Sequence, residues 1–201
     1  MKSITEIARP SPTLVRLFLD EWNSLENYTL QENSLQKLFL KTYPLNVDIN
    51  DVLIKVCSLN DFYSTNIYSP FVVAKHIVEL NIDDKIRNND LNVVNEIALV
   101  KMKEGKERKL YSFATKYCSH HKPEIYPIYD SFVDEILIYF KKKDVFDVFD
   151  DSDLKSYKLF KEIMLNFRSH YDLEDFELKE IDRYLWLAGK KHFPKDYKKK
   201  K

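Results

Sequence analysis

The sequence predicts an all-α fold, a compact domain of about eight or nine helices, and three observations carry that expectation. Apolar residues recur at spacings of three and four along most of the chain, the period of helices with one buried face. Only two of the 201 residues are glycine while 14% are aromatic, which suits dense helical packing and leaves little material for glycine-turned sheets or phosphate-cradling loops. Two segments open with Ser-Pro, at Ser11 and Pro12 and at Ser69 and Pro70, where serine caps a helix and proline fits its first position. A chain of this length buries enough apolar surface to fold without disulfides or metals.

"SPTLVRLFLDEWNSL" is the first expected helix, with Leu14, Leu17, Phe18 and Trp22 on one side. "SLQKLFLKTY" is the second and should stop before Pro44, because a residue preceding proline disfavours helical backbone. "DINDVLIKVCSLNDFY" is the third, with Val52, Val56 and Leu59 on its buried stripe, and "SPFVVAKHIVELN" and "DLNVVNEIALVKM" are the fourth and fifth. A helix from about Ser112 to His120 leads into an extended "PEIYPIY", and a further helix is capped by Asp130 or Ser131. "KKKDVFDVFDDSD" carries aspartates at 144, 147, 150, 151 and 153 and suits a loop around helix ends. "SYKLFKEIMLNFRSHY" and "ELKEIDRYLWLAGK" complete the set, the last ending at Gly189 as a C-cap. The expected organisation is one helical domain, residues 1–189, followed by a basic tail, residues 190–201.

Formal charge is zero, but its distribution is uneven. The tail holds seven lysines against one aspartate, so the body carries 25 basic and 31 acidic side chains, a net of −6 that argues against a general nucleic-acid coat. Lys101 to Lys116 nevertheless holds six basic residues and two glutamates, a local surface suited to phosphates. The two cysteines, Cys57 and Cys118, stand far apart in helical patterns, which with the lack of a leader-like start points to the reducing cytoplasm. The longest apolar run, Phe132 to Phe140, is broken by Asp134 and Glu135, so no membrane span is expected. His120 and His121 point about 100° apart on a helix and do not converge on one ion, so neither metal nor cofactor is expected. The common nucleotide, serine-elbow and HExxH signatures are absent.

The stretch "LYSFATKYCSHHKPEIYPIYD", Leu110 to Asp130, is the candidate site. Ser112 and Ala114 are small enough for a tight turn to approach a phosphate, Lys116 follows, and "YPIYD" brings Asp130 back toward the same helix. A lysine whose pKa is lowered by burial or by neighbouring cations is an amine nucleophile, and a nearby carboxylate can take a proton or steady a developing cation. The other reading makes Lys116 an exposed helix lysine and Asp130 an N-cap.

"LYSFATK" resembles the hairpin Leu-Pro-Gly-Val-Gly-x-Lys of the helix-hairpin-helix DNA glycosylases, especially their 8-oxoguanine branch, and "YPIYD" resembles the Val-Pro-Val-Asp step that delivers their aspartate. Ser112 and Ala114 replace the two glycines, Tyr111 replaces the proline, and "YPIYD" is one residue longer. The resemblance runs roughly from Asp48 to Gly189, and "EIDRYLWLAGK" is similar to the closing helix of small bacterial members. It implies a glycosylase-like helical fold, Lys116 as nucleophile on a flipped nucleotide and Asp130 as the assisting carboxylate. It further implies DNA or phosphate contacts at Ser112 and Ala114 and a base pocket or wedge near Asn60, Tyr63 and Ser64 of "CSLNDFYST", while the basic run adds Lys106, Arg108 and Lys109 as candidate DNA or phosphate contacts. The expected function is excision of a damaged or modified base from double-stranded DNA, with or without abasic-site lyase chemistry. Two alternatives stay open: a glycosylase-like module that binds nucleic acid or protein without chemistry, and a helical interaction protein tethered by its lysine tail.

Overall fold

The computed structural model describes residues 6–102 and 105–194. They form ten α-helices: α1 (Pro12–Ser24), α2 (Glu26–Lys37), α3 (Ile49–Tyr63), α4 (Pro70–Glu79), α5 (Ile82–Arg87), α6 (Asn92–Ala98), α7 (Tyr111–His121), α8 (Ser131–Asp144), α9 (Tyr157–His170) and α10 (Leu178–His192). A two-stranded antiparallel hairpin, β1 (Leu99–Lys101) and β2 (Glu107–Lys109), stands between α6 and α7 with Leu99 opposite Lys109. The fold is all-α, as the periodicity predicts. Helix α10 packs between α1 and α8, α3 lies on α4 and α7, and α6 lies on α7. Among the described residues no helix is long and apolar enough to cross a membrane.

The caps explain several boundaries. Ser11 Oγ accepts from Leu14 N at 3.3 Å with Pro12 at the first position of α1, whereas Ser69 opens α4 with no side-chain cap bond, Pro70 alone setting the start. Helix α2 begins eight residues earlier than the apolar pattern of "SLQKLFLKTY" suggests, and it ends in a π-helical turn, Leu38–Thr42, before Pro44. The pattern of "DLNVVNEIALVKM" is helical only to Ala98, after which it enters β1.

Two expectations need correction here. The segment matched to a glycine hairpin is no tight turn: Ser112 and Ala114 lie in the first turns of α7, Ala114 is fully buried, and its N–H donates to Leu110 O at 3.0 Å. With no glycine in "LYSFATK" the backbone stays helical, and the reversal between α6 and α7 falls to the β-hairpin, where Gly105 adopts φ +73°. Nor is Gly189 a cap. Helix α10 runs on to His192, taking in Lys190 and Lys191, while residues 195–201 of the expected tail lie outside the described residues. A Cβ on Gly189 would meet Phe132 Cβ at 2.6 Å and Phe132 O at 2.7 Å, so glycine lets α10 press against the first turn of α8. Gly189→Ala should therefore cost roughly 1–3 kcal/mol and lower the thermal midpoint, because backbone has to give way.

Helix α7 is held from behind by a buried polar knot. Lys55, fully buried on α3, donates from Nζ to Tyr43 O (3.1 Å), Leu45 O (2.9 Å) and Asn46 Oδ1 (2.5 Å), and Tyr117 of α7 donates its hydroxyl to the same Asn46 Oδ1 at 2.6 Å. Burial pushes Lys55 down to about 8, against the opposing pull of Asp83 and Asp51. Lys55→Met should destabilise the protein by roughly 2–4 kcal/mol in urea unfolding, since the Tyr43 and Leu45 carbonyls lose the ammonium and Asn46 Oδ1 keeps only the Tyr117 hydroxyl.

Candidate functional site

Asp130 comes to the wall of the cavity that Lys116 also lines because the extended segment between α7 and α8 is tied down on three sides. Thr115 Oγ1 of α7 accepts from Tyr129 N (3.1 Å), Asp182 Oδ2 of α10 accepts from Ile128 N (2.9 Å), and Tyr157 of α9 donates its hydroxyl to Pro127 O (3.0 Å). Asp130 then caps α8, with Oδ1 accepting from both Phe132 N (2.9 Å) and Val133 N (3.1 Å).

Lys116 and Asp130 line one cavity of about 1010 Å³, walled by α1, α2, the end of α3, the start of α7 and α8, and α10. Lys116 is buried rather than exposed, at 3% of its surface. Its Nζ donates to Ser112 Oγ (2.6 Å) and reaches Tyr129 O (3.4 Å), and it lies 5.3 Å from the centroid of the Tyr63 ring. Burial pushes its pKa below the ordinary lysine range; Asp130 and Asp182 pull it back up, and Lys179 adds to the depression. His120, one turn further along α7, is driven well down by burial and meets the Tyr63 hydroxyl at 3.1 Å through Nε2. The His121 ring lies instead beside Asn46, with Nε2 3.2 Å from its Nδ2, so the two histidines are held apart.

The remaining expected residues fall in different places. Tyr63 and Ser64 line the cavity, Ser64 as the left-handed C-cap of α3 at φ 48°. Asn60 instead organises the loop behind it, accepting from Thr65 Oγ1 (2.8 Å) and Ile67 N (2.9 Å) and donating to Ile67 O (3.2 Å). Arg108 and Lys109 stand at the cavity rim, Arg108 over the exposed Tyr68 ring at 5.4 Å, and Lys106 lies near the hairpin tip.

Of the other residues that line the cavity, Glu32, Lys179, Asp182 and Arg183 were not singled out by their sequence context. Glu32 of α2 is gripped by Lys179 (3.1 Å) and Arg183 (2.7 Å) of α10; burial pushes it up, but the two cations outweigh that and hold it below the usual carboxylate range. Trp22, Tyr28 and Trp186 form an aromatic corner, with Trp22 stacked on Tyr28 at 5.9 Å and Trp186 edge-on to both. Lys190 Nζ sits 4.6 Å from the Tyr28 ring and 4.7 Å from the Trp186 ring. Asp182 is 95% removed from solvent, its Oδ1 has no hydrogen-bond partner, and burial pushes its pKa up to about 7. A signal for it existed: Asp182 occupies the stripe that also buries Leu178, Ile181 and Leu185, where an apolar residue is the default. The lining holds six basic residues (Arg108, Lys109, Lys116, Lys179, Arg183, Lys190) and three acidic ones (Glu32, Asp130, Asp182). A body of net negative charge thus surrounds a cavity of net positive charge, an arrangement that draws anions.

Comparison with known proteins places this architecture in a family. Residues 14–125 match the family described as HI_0787_N, N-terminal domain, a span that takes in α1 through Lys116 on α7 and ends before Asp130. The chain is 47% identical over 148 residues to an "Uncharacterized protein" of Haemophilus influenzae, an alignment covering 73% of this chain and 70% of that relative. No solved structure matches the chain. On the extent of both matches, the protein belongs to the HI_0787_N, N-terminal domain family.

Proposed function

We propose that this protein excises a damaged or modified base from DNA, with Lys116 as amine nucleophile and Asp130 as the assisting carboxylate. The observation that carries the reading is the placement of a buried lysine, with no ion pair among the described residues, and a helix-capping aspartate on the wall of one positively lined cavity. The Lys116 amine attacks the sugar C1′, the bond from C1′ to the base nitrogen breaks, and the base leaves with that electron pair and takes up a proton. The nitrogen, having given up one proton, then expels the ring oxygen, which takes a proton from water, and the amine remains bound as a protonated imine. Asp130 has both N-cap bonds on Oδ1, which leaves Oδ2 to face the cationic centre that develops. The basic rim at Arg108 and Lys109 supplies phosphate contacts. A cytoplasmic setting accords with two cysteines that are both free.

One observation favours a second reading, nucleic-acid binding without chemistry: the Lys116 amine is already held by Ser112 Oγ at 2.6 Å. Borohydride reduction in the presence of duplex DNA carrying an abasic site separates the two. Base excision through an amine predicts a covalent protein–DNA adduct; a binder retards the duplex with a steep salt dependence and forms none.

A further inference from the structure

One buried titratable group beside the nucleophile takes no part in the excision chemistry. His120 follows Lys116 by four residues on α7, so both side chains leave one face of the helix, and His120 is only 6% exposed. Its Nε2 lies 3.1 Å from the hydroxyl of Tyr63 at the end of α3, and the Phe39 ring packs on it with centroids 5.4 Å apart. Burial keeps both partners of that bond uncharged: it drives His120 well down, with Lys179, His121 and Lys116 adding to the depression, and it raises the Tyr63 phenol. The bond therefore fixes the direction of the Tyr63 ring. What that ring faces is the Lys116 amine, whose Nζ stands 5.3 Å from its centroid. A ring face at that distance attracts a cation, most strongly where water is excluded. Attack turns a neutral amine into a cationic nitrogen, so the ring favours the product of that step.

We propose that Tyr63, locked in place by His120, is a positioning residue for the Lys116 nitrogen: its ring holds that nitrogen at the cavity wall and steadies the charge that attack places on it. The assignment rests on the base-excision reading, to which it adds two residues. The groups around the amine are Tyr63 of α3, Ser112 and His120 of its own helix, Asp130 at the start of α8, and Lys179 and Asp182 of α10. Glu32 of α2 faces the Tyr63 ring in turn. The two aspartates favour the ammonium and Lys179 opposes it, while the ring acts on the nitrogen at short range with no charge of its own.

The test reads the amine without DNA. Formaldehyde condenses with a neutral amine, water leaves, and cyanoborohydride reduces the imine to a methylamine, so the labelling rate of the Lys116 peptide against pH, followed by mass spectrometry, reports its pKa. In the wild type the midpoint should lie below that of exposed lysines. Tyr63→Leu removes the ring and should lower it further, by about one pH unit. Tyr63→Phe and His120→Leu each break the hydroxyl bond and free the ring, so each should lower it by about half a pH unit. Combining those two should add nothing, because the second change finds no bond left to break. His120→Gln, whose amide reaches the position of Nε2, should restore the wild-type midpoint. Partial unfolding would expose Lys116 and move the midpoint up, the opposite sign. An unmoved midpoint in Tyr63→Leu and His120→Leu, additive effects in the double variant, or a Lys116 that formaldehyde does not reach overturns the assignment. Lowered midpoints without a borohydride adduct on abasic DNA would leave the positioned amine standing and remove the excision chemistry; the adduct with unmoved midpoints would do the reverse.

Discussion

Lys116→Met should abolish the borohydride-trapped adduct with abasic DNA, by at least about a thousandfold and down to background, while leaving the fold intact. The two halves of this expectation come from the same fact. Lys116 is the cavity's deepest cation, 3% exposed, and its amine spends its bonds on one hydroxyl and one carbonyl with no carboxylate in ion-pair contact. Removing a buried amine of this kind relieves desolvation, and methionine fills a similar volume, so the thermal midpoint should stay level or rise. Loss of the adduct together with loss of folding would show that the lysine serves the core and would remove it from the chemistry. The pH dependence gives a second check. Attack needs the neutral amine, and burial lowers the folded-state pKa below the ordinary lysine value, so the trapping rate should rise with pH and level off below the range in which an exposed lysine titrates. A rate that keeps climbing to ordinary lysine pKa values would mean that the amine is solvated when it reacts.

What the sequence made legible follows the range of the interactions. Helix α1 is readable because Ser11, Pro12 and the Leu14–Trp22 stripe are local, and α8 is readable because its cap, Asp130, sits beside the chain it caps. Gly189 was misread for the same reason: next to a lysine run a glycine looks like a helix end, and only the approach of Phe132, 57 positions earlier, shows that it is a packing residue. The hairpin reading of "LYSFATK" failed locally, since without glycine the segment had every reason to stay helical. In the cavity, that Lys116 and Asp130 share one wall was legible because only a short segment separates them. Glu32 was not, because its partner Arg183 is 151 residues away and neither residue carries a local motif. Asp182 lay between those cases. Its position on an apolar stripe marks it as anomalous, as Lys55 is marked on α3 between Val52 and Val56, but whether such a residue is a structural knot or an open site depends on what lies opposite. Lys55 faces three oxygens and is satisfied; Asp182 Oδ1 faces a cavity and is not.

Asp130 carries two roles that substitutions can separate. Its Oδ1 accepts from Phe132 N and Val133 N, and asparagine caps a helix about as well, so Asp130→Asn should change stability by less than about 0.5 kcal/mol. Asp130→Ala removes the cap and should cost about 1 kcal/mol, read as a lower urea midpoint. Chemistry should not follow that order. A carboxylate that steadies a cationic centre or moves a proton contributes about 10²–10⁴ to the rate, and neither variant keeps the charge, so both should lose adduct formation to a similar extent. An asparagine variant that traps abasic DNA at the wild-type rate would reduce Asp130 to a cap, leaving Asp182 as the carboxylate to test next at that step. An asparagine variant that is stable and slow would show that the same atom group that starts α8 also serves the reaction. The close packing of Gly189 on Phe132 then gains a function, because it fixes the turn that Asp130 caps on the wall of the cavity.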